Sequence, residues 1–265
     1  MTYTSPTLDF SLSVLNGASF DLSKNYGKGE TERCVETPWA AQTFAKVGRV
    51  LDIGLAMSHP DYLGLMIGFL NKGGKIEGAD IIRPERVKTR YPEAWRDQIL
   101  DIPVHIGDVR KMDLSADPFD AVMCISTLEH IGFDAPSDRQ DTAFDRPTEL
   151  EDLPERSVDA DKMALAAFRK ALKPGGILCL TVPAGEGAIR KIKDSTGRWA
   201  AYLEYGPDNW NALLNLPGFE LIEQYGVAET ADGWTACTPF EDVYKASVGE
   251  NGLPRGCIMS VLKAV

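Results

Sequence analysis

The stretch Arg49-Val-Leu-Asp-Ile-Gly54 decides the fold: it is a short apolar run that ends in an acid and a glycine. An apolar segment with helical spacing follows at Asp61–Leu70, and a second strand pattern follows at Lys75–Ile82. Strands that alternate with helices in this way predict parallel strands joined by crossovers. The pattern predicts five further strands, at Val104–Val109, Phe119–Ile125, Ile177–Pro183, Phe219–Val227 and Gly256–Leu262.

Three more helices are predicted from helical spacing and from the turns that close them. They are Glu36–Val47, Pro84–Trp95 and Asp161–Leu172. Residues 1–35 show little periodicity, which predicts an irregular or weakly helical lead-in. Several strands are apolar without alternation, as expected for a sheet covered by helices on both faces. The fold class is therefore α/β.

The composition limits the class of protein. The chain has 265 residues, 44% hydrophobic and 25% charged, which is typical of a soluble globular domain at the upper size of one α/β unit. Its five cysteines are scattered without a CxxC pair, which favours a reduced, cytoplasmic protein. The apolar runs are far shorter than a bilayer helix of about 20 residues, and the first residues lack the basic start of a signal peptide. We expect no membrane partner.

The acidic balance of the chain bears on its partners. The formal net charge is −11, whereas binding to a phosphate backbone depends on clustered lysine and arginine. We therefore expect no nucleic-acid partner. Nothing in the sequence decides between a monomer and a homo-oligomer.

Acids end the first three predicted strands. Asp52, Asp80 and Asp108 follow one another at a constant step of 28 residues (80 − 52 and 108 − 80). In open α/β sheets, ligands bind at the carboxyl ends of the strands. The three acids are therefore candidates for one binding edge. Each of them also has a structural interpretation, because aspartate often ends a strand or caps a helix, and Glu77 competes with Asp80 for the second position.

Five segments together resemble the motifs of class I S-adenosylmethionine-dependent methyltransferases, in the family's order, over roughly residues 48–185. The resemblance implies a Rossmann-like, seven-stranded, mostly parallel sheet with helices on both faces and an antiparallel last strand. It implies S-adenosyl-L-methionine as cofactor and transfer of its methyl group to an oxygen or nitrogen of a small-molecule acceptor such as a sugar, an acid or a secondary metabolite. The segments are Val50–Gly54, the Asp80 step, Gly107-Asp108, Phe119–His130 and Leu172–Pro183.

The resemblance also implies the cofactor-binding residues. Gly54 lets the backbone approach the methionine portion of the cofactor, and Asp52 helps to orient its ammonium group. Asp80 accepts hydrogen bonds from the ribose hydroxyls, as two carboxylate oxygens allow. Asp108 accepts from the adenine amino group, and Val109 offers backbone contacts to the ring.

The segment after the fourth strand is implied to face the reaction. Ser126 and Thr127 lie beneath the methyl donor, and Glu129 and His130 face the acceptor as candidate catalytic residues. A histidine titrates near neutrality and suits the removal of a proton from the acceptor; packing or capping is the alternative role for His130. The sequence departs from the family at Leu55-Ala-Met-Ser58, where further glycines are usual.

The chain is predicted to form a single methyltransferase domain, residues 1–265. The lead-in and first helix occupy residues 1–47, the cofactor-binding core 48–185, and the acceptor-site elements and final strands 186–265. Within the core, residues 132–159 are acidic and poor in apolar anchors, which predicts a mobile lid. Five aromatic residues after the fifth strand suggest an acceptor wall: Trp199, Tyr202, Tyr205, Trp210 and Trp234.

Rival functions stay open at this point. A nicotinamide oxidoreductase shares the fold type, but the G-x-G-x-x-G motif is missing after the first strand. A nucleic-acid methyltransferase is disfavoured by the charge and by Cys124-Ile-Ser-Thr127, where an (Asn/Asp)-Pro-Pro-aromatic motif is expected. A non-catalytic cofactor-binding or scaffold member of the same fold is the third alternative. No spacing typical of a metal site is present, so no metal is expected.

Overall fold

Eight strands form the main sheet of this protein, in the order β3-β2-β1-β4-β5-β10-β8-β9. The first four run parallel to one another: β1 pairs with β2 on one side and with β4 on the other, and β2 pairs with β3. Their bounds are Arg49–Ile53 (β1), Lys75–Asp80 (β2), Val104–Ile106 (β3) and Phe119–Ile125 (β4). The computed structural model describes residues 3–133, 147–193, 197–246, 248–249, 252 and 254–265.

The other half of the sheet contains the reversal that the sequence predicts. β5 is parallel to β4, whereas β10 is antiparallel to both β5 and β8 and lies between them. The predicted count of seven strands is wrong by one, because β9 forms a hairpin with β8 at the edge of the sheet. These strands are Leu172–Pro183 (β5), Phe219–Thr230 (β8), Gly233–Ala236 (β9) and Gly256–Ala264 (β10).

Helices cover both faces of the sheet, as the apolar strands predict. Alternate residues of a strand point to opposite faces, so Val50 packs with one apolar core and Leu51 with the other. The first core includes α1–α3, and the second includes α5 and α6. The helices are Pro6–Leu15 (α1), Arg33–Phe44 (α2), Pro60–Asn71 (α3), Arg96–Leu100 (α4), Ala160–Ala171 (α5) and Pro207–Leu214 (α6).

Two predicted segments differ from the structure for reasons of local chemistry. The helix predicted at Pro84–Trp95 is instead two short 3₁₀ segments, because Pro92 forces Tyr91 into an extended conformation. The lead-in contains a regular helix, α1, whose start is fixed by the Ser5 side chain accepting a hydrogen bond from the Leu8 N–H (3.0 Å). Proline at the first helical position, Pro6, supports the same start.

Two elements between the fifth strand and β8 were not predicted. A separate antiparallel hairpin forms from Ile189–Lys193 (β6) and Trp199–Leu203 (β7), and α6 follows it. Its strands bring Tyr202 and Ile192 over the end of the main sheet. Among the described residues, no helix has the length and apolar character to cross a membrane. Residues 134–146 of the predicted lid lie outside the described residues, so its predicted mobility stays a prediction.

Candidate functional site

Asp52 is a buried carboxylate with one unsatisfied oxygen. Its side chain is 1% exposed at the carboxyl end of β1, and Oδ2 accepts a hydrogen bond from the Tyr62 hydroxyl of α3 (2.6 Å). Oδ1 has no hydrogen-bond partner among the residues that the structure describes. Burial raises the pKa of Asp52 to about 7, against the lowering effect of the Tyr62 hydrogen bond, and the negative charge of Asp80 adds to the rise.

Asp80, at the end of β2, holds the loop after β1 in place. Its Oδ2 accepts from the Ala56 N–H (2.9 Å) and its Oδ1 from the Ile82 N–H (2.8 Å). Burial raises the pKa of Asp80, and these backbone hydrogen bonds limit the rise. Each oxygen keeps a second lone pair, since a carboxylate has about four acceptor positions. Glu77, the alternative for this position, binds Arg49 and His105 instead.

Gly54 makes the turn from β1 into the loop, and Thr127 packs against it. The φ of Gly54 is +86°, a left-handed conformation that side chains rarely adopt. A Cβ at this position would lie 2.6 Å from the Thr127 Oγ1. Leu55 and Ala56 follow in a short 3₁₀ turn and are fully buried. The turn therefore closes without the further glycines, because these two side chains pack into the apolar cores.

Asp108 is bound by the arginine two residues later. The Arg110 guanidinium donates to both Asp108 oxygens (2.8 and 2.9 Å), and the Arg110 N–H donates to Oδ1 (3.0 Å). Burial alone would raise the pKa of Asp108, but these hydrogen bonds outweigh it and lower the pKa. The neighbouring Val109 side chain packs in the core with Leu114. The structure thus gives Asp108 a strong partner that the sequence did not suggest.

A cavity of about 110 Å³ lies beyond the carboxyl ends of β4 and β5. Helix α2 supplies one wall, the β6–β7 hairpin another, and the start of β10 a third. Three of the predicted site residues line it, whereas the acids Asp52, Asp80 and Asp108 do not. The lining residues are Glu32, Arg33, Ser126, Glu129, His130, Pro183, Ile192, Tyr202, Pro254, Gly256 and Cys257.

Glu36, behind the cavity wall, is fully satisfied. One oxygen accepts from the Ser126 hydroxyl (2.8 Å) and the Cys257 thiol (3.3 Å), and the other binds the Arg33 guanidinium. Burial works against the charge on Arg33, but Glu36 and Glu32 outweigh it and raise its pKa. Ser126 has a φ of 44°, a left-handed conformation that is uncommon for residues other than glycine. It is held there by its hydroxyl, which donates to Glu36, and by its N–H, which donates to the Thr181 hydroxyl.

Glu129 is buried like Glu36, but one of its two carboxylate oxygens lacks a hydrogen-bond partner among the described residues. Its side chain lines the cavity, is 4% exposed, and its Oε2 has no hydrogen-bond partner within the described parts of the chain. Burial raises the pKa of Glu129 to about 8, with the positive charge of Arg33 opposing the rise and the negative charges of Glu36 and Glu32 adding to it. A carboxyl group with such a pKa changes its protonation near neutral pH, which suits proton transfer.

His130 lies at the mouth of the same cavity. Its Nδ1 is 3.0 Å from the Ala201 carbonyl oxygen of β7, and its ring meets the Tyr202 ring edge to face with centroids 6.3 Å apart. A carbonyl oxygen only accepts, so Nδ1 carries the hydrogen and Nε2 carries the lone pair in the neutral ring. The hairpin thus fixes the orientation of the ring.

The five predicted wall aromatics separate into two groups. Tyr202 lines the cavity and donates its hydroxyl to the Gly252 carbonyl (2.8 Å), and Trp199 stacks under Lys193 on the hairpin. The others belong to the buried cores: Tyr205, Trp210 and Trp234. The prediction of an acceptor wall is wrong for these three residues, because strand pairing and α6 place their side chains in the cores.

Sequence reasoning missed the residues that α2 contributes. The helix starts at Arg33, three residues before the predicted Glu36, so Glu32 and Arg33 were assigned to the lead-in. A signal was present: Cys34, Val35, Trp39 and Phe44 predict a helix that packs in the core, where charged neighbours are buried with partners or line a cavity. Within the described residues, no group of three or more histidine, cysteine, aspartate or glutamate side chains is placed to hold a metal ion.

Comparison with protein-family models finds no match, and comparison with curated proteins finds none either. Among solved structures, the chain is similar to the 1,6-didemethyltoxoflavin-N1-methyltransferase of Burkholderia thailandensis with bound 1,6-didemethyltoxoflavin and S-adenosylhomocysteine. The identity is 16%, the TM-score is 0.48, and the match covers 98% of this chain and 79% of the other.

Two further solved structures are similar at the same level. An N-methyltransferase of Bradyrhizobium japonicum in complex with S-adenosyl-L-homocysteine has 15% identity and a TM-score of 0.45, covering 98% of this chain and 99% of the other. An S-adenosylmethionine-dependent methyltransferase of Methanosarcina mazei has 14% identity and a TM-score of 0.49, covering 83% and 93%. At these values the likeness assigns no activity, which has to be argued from the site itself.

Proposed function

We propose that this protein is an S-adenosylmethionine-dependent methyltransferase that acts on an oxygen or nitrogen of a small-molecule acceptor. The observation that carries the proposal is the strand order, in which one reversed strand, β10, lies between β5 and β8. Ahead of it, the parallel strands β1 and β2 end in the buried acids Asp52 and Asp80. This combination is what the resemblance to class I methyltransferases implies.

The residues at the sheet edge fit the cofactor. The unsatisfied Oδ1 of Asp52 is an acceptor for the cofactor's ammonium group, whose charge would offset the cost of burying the carboxylate. Asp80 keeps acceptor capacity for the ribose hydroxyls while it holds the loop. Asp108 binds Arg110 through both oxygens, so an adenine amino group would share this carboxylate with the guanidinium.

The acceptor side follows from the position of β4. Thr127 packs against Gly54 at the cofactor edge, and its neighbour Ser126 lines the cavity, so the two residues lie between the proposed cofactor and acceptor sites. When bound, S-adenosylmethionine supplies a methyl group on a sulfonium that is already activated. The chain's own contribution is then to align the acceptor, to exclude water and to take a proton through Glu129 or His130.

Titration calorimetry tests the proposal directly. We expect S-adenosylhomocysteine to bind with a Kd of order micromolar, and NADH to give no heat at the same concentrations. Asp108→Ala should weaken that binding by about 10-fold or more, the value of a hydrogen bond to a charged group. Asp113→Ala is the matched control, an exposed aspartate outside the binding edge, and should bind like the wild type. Absence of heat with S-adenosylhomocysteine would exclude the proposed function.

A further inference from the structure

We propose that the acceptor presents an amine, which enters the cavity as an ammonium group and is held there by Glu129 with Glu32. The inference rests on the proposed function for the reaction and narrows its acceptor to a nitrogen.

Among the described residues that line it, the cavity has more carboxylates than cations. Glu32 and Glu129 both line it, and the one arginine of its lining, Arg33, is already bound to Glu36 and lies 3.7 Å from Glu32. Glu36 is fully used by Ser126, Cys257 and Arg33. An anionic acceptor would therefore meet carboxyl groups whose arginine is already paired, whereas a cation would pair with Glu129 as that group loses its proton.

Glu129 provides the point of attachment. A buried carboxylate oxygen without a hydrogen-bond donor costs free energy that a partner would recover, and Oε2 of Glu129 is such an atom among the described residues. An ammonium group offers three N–H donors and a charge, so it can pair with the carboxylates that line the cavity once the Glu129 side chain turns its buried Oε2 toward it. A neutral hydroxyl offers a single donor and leaves the negative charge unbalanced.

The volume and the apolar lining set the size of the group that enters. About 110 Å³ holds an amine head and a short carbon stem, well below the roughly 300 Å³ of a site that encloses a whole drug-sized ligand. Ile192, Pro183 and the ring of Tyr202 supply apolar surface for that stem. The remainder of the acceptor extends through the mouth beside His130.

The step that follows balances in atoms and charge. Glu129 accepts one proton from the acceptor ammonium, which frees the lone pair on nitrogen. That pair forms the bond to the methyl carbon as the carbon–sulfur bond breaks, and the electron pair of that bond remains on sulfur. The products are a methylated ammonium and a neutral thioether, and the proton on Glu129 passes to solvent at the exposed mouth.

Ligand-observed NMR titrations with n-butylamine test the inference. The matched probes are 1-butanol, which removes the charge, and butyrate, which reverses it. We expect n-butylamine to bind at least 10-fold more tightly than either, both with and without S-adenosylhomocysteine present. Glu129→Gln should weaken n-butylamine binding about 10-fold, whereas Glu93→Gln, the same change at an exposed carboxylate outside the cavity, should leave it unchanged.

The proton count gives a second readout. Because the pKa of Glu129 is raised to about 8 by burial, it is mostly protonated at pH 7, and pairing with an ammonium should release close to one proton. Affinity should therefore rise about 50-fold from pH 6 to pH 8 in the wild type, as the ionised fraction of Glu129 rises, and stay flat in Glu129→Gln. His130→Gln should keep the rise. The other groups that face Glu129 are Glu32, Arg33, Glu36, Cys124, His130, Tyr202, Tyr205 and Cys257.

Each outcome separates this inference from the proposed function. Equal binding of n-butylamine and 1-butanol, or unchanged amine affinity in Glu129→Gln, overturns the amine inference even if S-adenosylhomocysteine binds. Amine binding that depends on Glu129, together with no binding of S-adenosylhomocysteine, supports the ammonium site but excludes the proposed function and with it the role of the amine as methyl acceptor. Loss of the pH dependence in His130→Gln instead of Glu129→Gln assigns the proton to histidine and overturns the role given to Glu129.

Discussion

Replacing Asp52 by asparagine should stabilise the free protein at high pH. The pKa of Asp52 is raised from 3.8 to about 7 in the folded state. The folded protein therefore holds this proton more tightly, and the stability that goes with it is present below about pH 4 and is lost as pH rises to 7. Between pH 5 and pH 7 the loss is about 2 × 1.36, or about 2.7 kcal/mol. Asparagine does not ionise, and its amide oxygen can still accept from Tyr62.

The free energy of unfolding, measured by urea titration at pH 5, 6, 7 and 8, gives the test. The advantage of Asp52→Asn over the wild type should increase by about 2–3 kcal/mol across this range. The size of this advantage is reduced by about 1–3 kcal/mol at every pH, because the asparagine amide nitrogen takes the place of Oδ1 and finds no hydrogen-bond acceptor there. Asp97→Asn, an exposed aspartate of α4, is the control and should show no such trend. A constant difference between Asp52→Asn and wild type would refute the reasoning.

Further variants test the loop after β1 and the residues at the cavity mouth. Asp80→Ala should lower the free energy of unfolding by about 2–4 kcal/mol in urea titrations, because two buried loop amides lose their acceptor, and Asp80→Asn by less, because it keeps one acceptor oxygen; equal losses would contradict the role of that oxygen as an acceptor. Gly54→Ala should cost about 2–4 kcal/mol through its positive φ and the clash with Thr127, and adding Thr127→Ala should recover part of that cost; no recovery would mean that backbone strain alone is responsible. Glu129→Gln should lower turnover by about 10²–10⁴-fold with cofactor affinity intact, the typical value of a general base, and His130→Ala should lower it by much less; a loss of that size in His130→Ala alone would assign the proton to histidine.

Most of the fold could be predicted because it depends on local patterns. The runs Arg49–Gly54 and Ile177–Pro183 are short apolar segments, the first ended by a glycine and the second by a proline. Their consequences are therefore visible without tertiary contacts. Hairpin β6–β7 was missed because β6 is rich in lysine and arginine and β7 is an apolar run of only five residues with two alanines, which have low strand propensity.

Some residues of the candidate site could be predicted from the sequence and others could not, depending on whether their position follows from the order of the strands. The strand-end acids and Glu129-His130 follow from the order of strands, which fixes which residues reach one edge of the sheet. The contribution of Glu32 and Arg33 depends on where α2 packs, and the pairing of Asp108 with Arg110 depends on side-chain geometry. Neither is encoded in spacing along the chain, so only the three-dimensional structure brings them to the site.

The position of β10 between β5 and β8 has a consequence for biosynthesis. β8 and β9 are made before β10, yet their hairpin has no pairing with the rest of the main sheet until β10 pairs with both β5 and β8. During translation the β8 edge of this hairpin therefore stays unpaired until β10 is made, and an unpaired strand edge can associate with other chains. The sheet closes in a single late event of high contact order, and chaperone demand should concentrate in that interval.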